Sequence, residues 1–361
     1  MPRFYTKPCG CEFEISESHL ISRGKELDWY LKNDLVPPIK LDIQNINMDC
    51  PEVWKMLGKG LVKGVFQLEG ATGKRWTKEM KPTSIDHLCA LGALLRPGCT
   101  KSIDKKTGCS LTELFCLRKN GLKEVEYLHP CLENVLKSTY GILTYQEQAM
   151  QIAQIVAGFN LQDADVLRKA IGKKLADEMA KVEKMFVEGA RKVNILSEEQ
   201  INEVFGWIKE SQRYSFNKSH SMSYAVNGYW SAYCKCHFPI YFFTSWLRQA
   251  RDKQDPLEEI RELINEAKLM DIKILTPDLK AMKKHFYTDG KTIRFGIADV
   301  KGIGEVQVDK LRKVVSEAEM VYGKKLADLN WYEFLVLVSP RITSTVIERL
   351  IEVGGMKYMD K

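Results

Sequence analysis

Apolar residues recur at three- and four-residue steps over most of the chain, so the elements they predict are mainly helices. Ile39 to Ile43 reads as a strand, and Asp49-Cys50-Pro51-Glu52 then opens a helix that Gly58 and Gly60 close. Gly64 to Glu69 is a short strand-like run. A basic helix follows (Lys74, Arg75, Lys78, Lys81), then an apolar one over Leu88 to Leu95 that halts at the turn signal Arg96-Pro97-Gly98. Residues 101–130 read as a polar, loop-rich insertion. Ile142 to Ala157 has helical period and stops at Gly158. Asn160 and Asp163 cap a helix through Ile171, which Gly172 ends. Asp177 to Val193 puts Met179, Val182, Phe186 and Ala190 on one face, and the capping box Ser197-Glu198-Glu199-Gln200 opens a helix carrying Val204, Phe205 and Ile208.

The stretch from Tyr214 to Tyr233 organises the rest. As a helix from about Lys218, it lines up Asn217, His220 or Ser221, Tyr224 and Gly228 on one polar, aromatic face, with Met222, Val226, Tyr229 and Tyr233 on an apolar one. A half-buried helix with satisfied polar groups is the plainer reading of the same pattern. Pro239 breaks this helix. Helices then span Tyr241 to Ala250 and Pro256 to about Met270, a strand Ile272 to Leu275, and a hairpin His285 to Phe295 turning at Asp289-Gly290. Val300-Lys301-Gly302-Ile303-Gly304-Glu305 precedes a further helix, and helices over Leu326 to Leu337 and Thr343 to Val353 end the chain. The expected fold is mainly α with a small mixed β-sheet. Three segments are expected: an N-terminal extension (1–38), a helical domain (39–270) and a smaller C-terminal subdomain (271–361).

At 361 residues the chain is long enough to bury a core in two or three lobes. Lysine and arginine outnumber aspartate and glutamate, 54 to 47, a mild basic balance that suits a polyanionic partner without requiring one. The ten cysteines are scattered and no signal peptide opens the sequence, so reduced thiols and a cytosolic location are expected, with no membrane span.

Cations near helix ends supply the candidate chemistry. Arg96, Arg168 with Lys169, Lys173 and Lys174, and Lys218 with His220 have no acid beside them in this reading, as triphosphate recognition asks. A solvated basic face is the competing reading. Lys301, Gly302 and Gly304 form a Gly-x-Gly turn whose amides could approach a phosphate of DNA. Asp163-Ala164-Asp165 diverges on a helix and cannot share a metal, and no catalytic nucleophile constellation is readable. Cys9-Gly10-Cys11 is tighter than zinc spacing usually is, with His19 and Cys50 its nearest candidate partners. Cys234-Lys235-Cys236-His237 fans its sulfurs apart, and no metal site is expected.

Five ordered motifs carry a resemblance: Gly64 to Glu69, Ala93 to Gly98, Thr139 to Ile142 leading to Tyr145-Gln146-Glu147-Gln148, Leu167 to Lys174, and Phe216 to His220 with Tyr224. Together they resemble the fingers region of the family C replicative polymerases, the bacterial DNA polymerase III alpha subunits, over roughly 39–355. Ile293 to Gly296 with Val300 to Glu305 looks like the piece that closes that region. The resemblance implies DNA replication by nucleotidyl transfer. Arg96, Arg168, Lys173, Lys174, Asn217, Lys218 and His220 would hold an incoming dNTP, and Tyr224 would stack. It also implies a primer-template partner, and Mg2+ held by the aspartates of a palm supplied by another chain, because the palm motif precedes the matched segment. Cys99-Thr100 departs from the family's usual Pro-Met after Arg96-Pro97-Gly98, and residues 1–38 match nothing in it. The alternative from another class is a non-catalytic DNA-binding or polymerase-regulating module on the same scaffold.

Overall fold

The structure, a computed structural model, describes residues 2–104, 106–173, 176–211 and 215–359. Helix dominates, and the two sheets have three short strands each. Asp42–Cys236 forms one compact unit, and Met1–Leu41 joins His237–Lys361 in the other. The chain thus divides at 41/42 and 236/237 rather than at 38/39 and 270/271. Residues 1–38 are no separate extension, because the strand Glu12–Ile15 pairs antiparallel with both Phe4–Thr6 and Ile39–Lys40. The helices Pro239–Gln249 and Pro256–Leu269 go with the C-terminal part because Phe243, Leu247 and Leu263 share a core with Ile272, Phe286 and Ile293.

In that unit the expected hairpin forms. Tyr287–Thr288 pairs antiparallel with Ile293–Arg294, which runs parallel to Ile274–Leu275. Asp289 shapes its turn by accepting from the amides of Lys291 and Thr292 at 2.9 and 2.7 Å. A second core gathers Val308 and Leu311 of the helix Glu305–Tyr322, Phe334 of Trp331–Leu337, and Val346 and Leu350 of Ser344–Glu352.

The unit Asp42–Cys236 is built on the helices Gln146–Ala157, Leu161–Lys173, Ala176–Val193 and Glu198–Ser211. Their inward stripes are the expected ones: Met179, Val182, Phe186, Ala190, Val204, Phe205 and Ile208 are all buried in one cluster. Both caps hold. Asn160 Oδ1 accepts from the amides of Gln162 and Asp163, and Ser197 and Gln200 exchange side-chain-to-backbone bonds at 3.0 and 3.2 Å.

Five local expectations are corrected. Gly64 to Glu69 is a run of turns, since Gly64 and Gln67 take φ of +74° and +63°. Residues 101–130 contain the helix Leu111–Lys119, capped by Ser110 Oγ and anchored by buried Leu114, Phe115 and Cys116. Ile142 to Thr144 lies outside the next helix, because Gln148 Oε1 accepts from the amides of Thr144 and Tyr145 and starts that helix at Gln146. Arg96-Pro97-Gly98 opens a short helix, Pro97–Lys101, with proline in its first turn. Gly172 does not end its helix, which runs on to Lys173.

Candidate nucleotide site

The site lies within the unit Asp42–Cys236 and grows from the start of the helix Lys218–His237. Asn217 Oδ1 accepts from the His220 amide at 2.8 Å, as an N-cap does. The Glu147 carboxylate accepts hydrogen bonds from Asn217 Nδ2 at 2.8 Å and from the Lys218 amide at 3.0 and 3.1 Å. Just before the helix, Phe216 bridges to Tyr145. Its amide donates to Thr144 O and its carbonyl accepts from the Gln146 amide. Phe216 is therefore held on both sides by backbone.

A cavity of about 520 Å³ opens beside this junction. One wall is a run of ring and guanidinium faces. Arg96 Cζ stands 3.7 Å over the Phe216 centroid. Phe216 to His220 is 5.3 Å, His220 to Tyr224 4.4 Å, and Tyr224 to Phe66 5.4 Å. Arg96 and His220 are exposed, and Phe66 and Tyr224 keep 41% and 38% of their surface open, so these faces are available. Among the described residues lining the cavity none is a carboxylate.

Small residues let the walls approach. A Cβ on Gly92 would stand 3.3 Å from Ser221 Oγ, and one on Gly228 3.3 Å from the Phe66 carbonyl. Below them Ser221 donates to Cys89 O at 2.6 Å, and the Tyr145 hydroxyl donates to Cys89 Sγ at 3.2 Å. Burial pushes the Tyr145 phenol and the Cys89 thiol up, so both stay neutral. The two faces of the organising helix separate nearly as expected. Tyr229 and Tyr233 are buried, whereas Met222 and Val226 are only half-buried. Tyr229 Oη donates to Asn47 O at 2.8 Å and accepts from the Cys50 amide at 3.1 Å.

Arg96, His220 and Tyr224 therefore meet on one cavity. Asn217 caps the helix instead, and Lys218 Nζ stands 5.7 Å from the Tyr145 centroid; neither lines the cavity. The expectation that the basic clusters have no acid beside them is corrected. Asp165, one helical turn earlier, binds Arg168 and Lys169, each at 2.8 Å, and Glu147 binds the Asn217–Lys218 start. Lys173 ends the helix Leu161–Lys173, and a Cβ on its neighbour Gly172 would lie 3.8 Å from Gln146 Nε2. The Lys173 side chain and Lys174 lie outside the described residues, as does Tyr214.

In the other unit, Lys301 is exposed, Gly302 takes φ +91°, and Gly304 caps the helix Glu305–Tyr322. The Gly304 amide donates to Gln307 Oε1 at 2.7 Å, so that donor is occupied. Glu305 is paired with Arg251 at 2.9 Å and Lys284 at 3.9 Å. Two ring positions were missed from sequence, Phe66 and Phe216. Both lie inside the motifs quoted above, where an aromatic two residues after a glycine, or directly before an N-cap residue, was the available signal.

Residues 31–194 match the family described as the bacterial DNA polymerase III alpha subunit finger domain. This chain carries that finger domain. The DNA polymerase III subunit alpha of Aquifex aeolicus is 39% identical over 327 residues, 90% of this chain and 26% of the relative. That of Escherichia coli K12 is 36% identical over 325 residues, 88% and 26%. That of Deinococcus radiodurans is 36% identical over 295 residues, 80% and 21%. The chain spans about a quarter of the length of the curated relatives it matches. The finger-domain match covers Arg96, Phe66, Glu147 and the Asp165–Arg168 pair, while Phe216, His220 and Tyr224 lie beyond it, within the span of the helix Lys218–His237 and its lead-in. No helix among the described residues is long and apolar enough to cross a membrane.

Proposed function

We propose that this chain provides the nucleotide-binding fingers of a replicative, cytoplasmic DNA polymerase, gripping an incoming dNTP against a primer-template. The carrying observation is the cavity walled by Arg96, Phe216, His220, Tyr224 and Phe66, with no carboxylate among its described lining residues. A guanidinium neutralises phosphate while rings stack on a base, whichever base it is. Phosphoryl transfer asks such a region for positioning and charge neutralisation. With no carboxylate among its described lining residues, the cavity does not fit a magnesium site, and in this reading the metal-holding aspartates are those of a palm supplied by another chain. Arg168 and Lys218, which do not line the cavity, add positive charge to this role. The exposed Lys301 side chain, rather than the Gly304 amide, contacts the DNA backbone.

Primer extension with a palm-containing chain supplied in trans tests this reading. The mixture is expected to incorporate dNTPs, and Arg96→Ala or Tyr224→Ala to lower incorporation at least tenfold, the loss of about 1.4 kcal/mol of contact. Synthesis by this chain alone, or incorporation that ignores both substitutions, sinks the proposal.

A further inference from the structure

We propose that Cys9, Cys11 and His237 bind a zinc ion that fastens the N-terminal hairpin. All three belong to the unit formed by Met1–Leu41 and His237–Lys361. Their sulfurs and a ring nitrogen lie within 4.8 Å of one another. Zinc bonded at ~2.3 Å to sulfur and ~2.0 Å to nitrogen sets its ligand atoms roughly 3.5–3.8 Å apart, so rotamer-sized movement closes this set on the ion.

The surrounding backbone holds the two sulfurs in place. The segment 7–11 joins the antiparallel strands Phe4–Thr6 and Glu12–Ile15, with the Gly10 amide donating to Lys7 O and the Lys7 amide to Cys11 O, both at 2.8 Å. Gly10 takes φ +85° and a Cβ there would meet nothing within 4 Å, so the glycine serves the turn rather than the packing. Cys11 and His237 are 3% and 4% exposed and Cys9 is half-buried, which shields an ion from water. Phe13 lies edge-on to the His237 ring at 5.6 Å and to Phe238 at 4.8 Å, fixing the imidazole from the side. Lys7 Nζ, on the same turn, stands 5.4 Å from the Tyr5 ring and 5.6 Å from Phe238, so the turn packs against the same ring that Phe13 meets.

Two thiolates and an imidazole are a soft set that selects zinc over magnesium or calcium. They leave one position of a tetrahedral ion for a further donor. His19, the histidine nearer in sequence, is engaged elsewhere, with Nδ1 2.7 Å from Ser16 Oγ. The ion would tie residues 9–11 to residue 237, whose place in one unit the sequence spacing does not reveal.

Elemental analysis of the full chain, dialysed after purification in zinc-containing medium, is the test. About one zinc per chain is expected, falling to below about a tenth in the Cys9→Ser/Cys11→Ser variant and unchanged in Cys109→Ser. Cobalt in place of zinc should give thiolate-to-metal absorption of at least two sulfurs. Because the double variant could misfold, unmodified chain is also stripped with a chelator. Amide exchange over residues 4–15 should then rise about tenfold and recover when zinc alone is returned. A wild-type chain without zinc, zinc retained by the double variant, or exchange indifferent to chelation each overturns the proposal.

Discussion

Arg96 and Phe216, far apart in sequence, stack guanidinium over ring at 3.7 Å. Each is positioned independently: Arg96 precedes the proline of a short helix, and Phe216 is clamped by backbone bonds to Thr144 and Gln146. The guanidinium is thus oriented before any ligand arrives, which lowers the ordering cost of binding.

Replacing Arg96 separates charge from shape. Arg96→Ala should weaken dNTP binding about 10–100-fold, and Arg96→Lys should recover only part of it, because an ammonium cannot stack as a planar guanidinium does. Calorimetric titration of the three proteins decides this; equal affinity for Lys and Arg contradicts the stacking role.

Gly73, on the cavity wall, has no room for a side chain. A Cβ there would stand 2.5 Å from the Leu68 carbonyl oxygen. Gly73→Ala should therefore destabilise by about 1–3 kcal/mol even though alanine is the better helix former by about 1 kcal/mol. Urea denaturation measures it, and a stabilised variant would show that the loop yields freely.

His87 gives the fold a pH dependence. Its Nδ1 accepts from the Thr83 amide at 3.2 Å, which assigns the proton to Nε2, donated to Tyr140 Oη at 2.8 Å. Burial, aided by Lys119, holds its pKa down from 6.5 to about 4. As pH falls through 6.5 the unfolded chain takes up a proton that the folded chain refuses until about 4, so the neutral ring's stability is present above that window and lost across it. Relative to His87→Gln, the wild-type melting temperature should fall further between about pH 7.5 and 4.5. Parallel curves would remove His87 from the account.

Two core residues report on the helical unit. Phe186→Ala should cost about 3–5 kcal/mol, since the ring is fully buried between Phe159 and Phe205. Tyr229→Phe should cost about 1–3 kcal/mol by removing the buried hydroxyl that donates to the Asn47 carbonyl and accepts from the Cys50 amide. Denaturant midpoints for both are the check, and changes below about 0.5 kcal/mol would mean the site relaxes around the loss.

Helices with a cap and an apolar stripe were legible, as the Asn160 and Ser197 caps and the buried Phe186 and Phe205 show. In these, local chemistry and packing agree. The helix Leu111–Lys119 was obscured by its polar surroundings although Ser110 and Glu113 carried a cap signal. The N-terminal sheet was illegible because its pairing depends on Ile39–Lys40, well beyond the hairpin. At the site, the polar face with His220 and Tyr224 was readable from periodicity. Periodicity is blind, however, to ion pairing between helix neighbours such as Asp165 with Arg168, and to Phe66 reaching Tyr224 across the fold.

Photo-crosslinking with an azido-purine dNTP on primed DNA, read by peptide mass spectrometry, tests the nucleotide-gripping wall most directly. Saturable adducts on Tyr224 or Phe66, competed by unlabelled dNTP and lost in Arg96→Ala, are the expected result. Adducts confined to surfaces away from this cavity, or labelling indifferent to competitor, would contradict it.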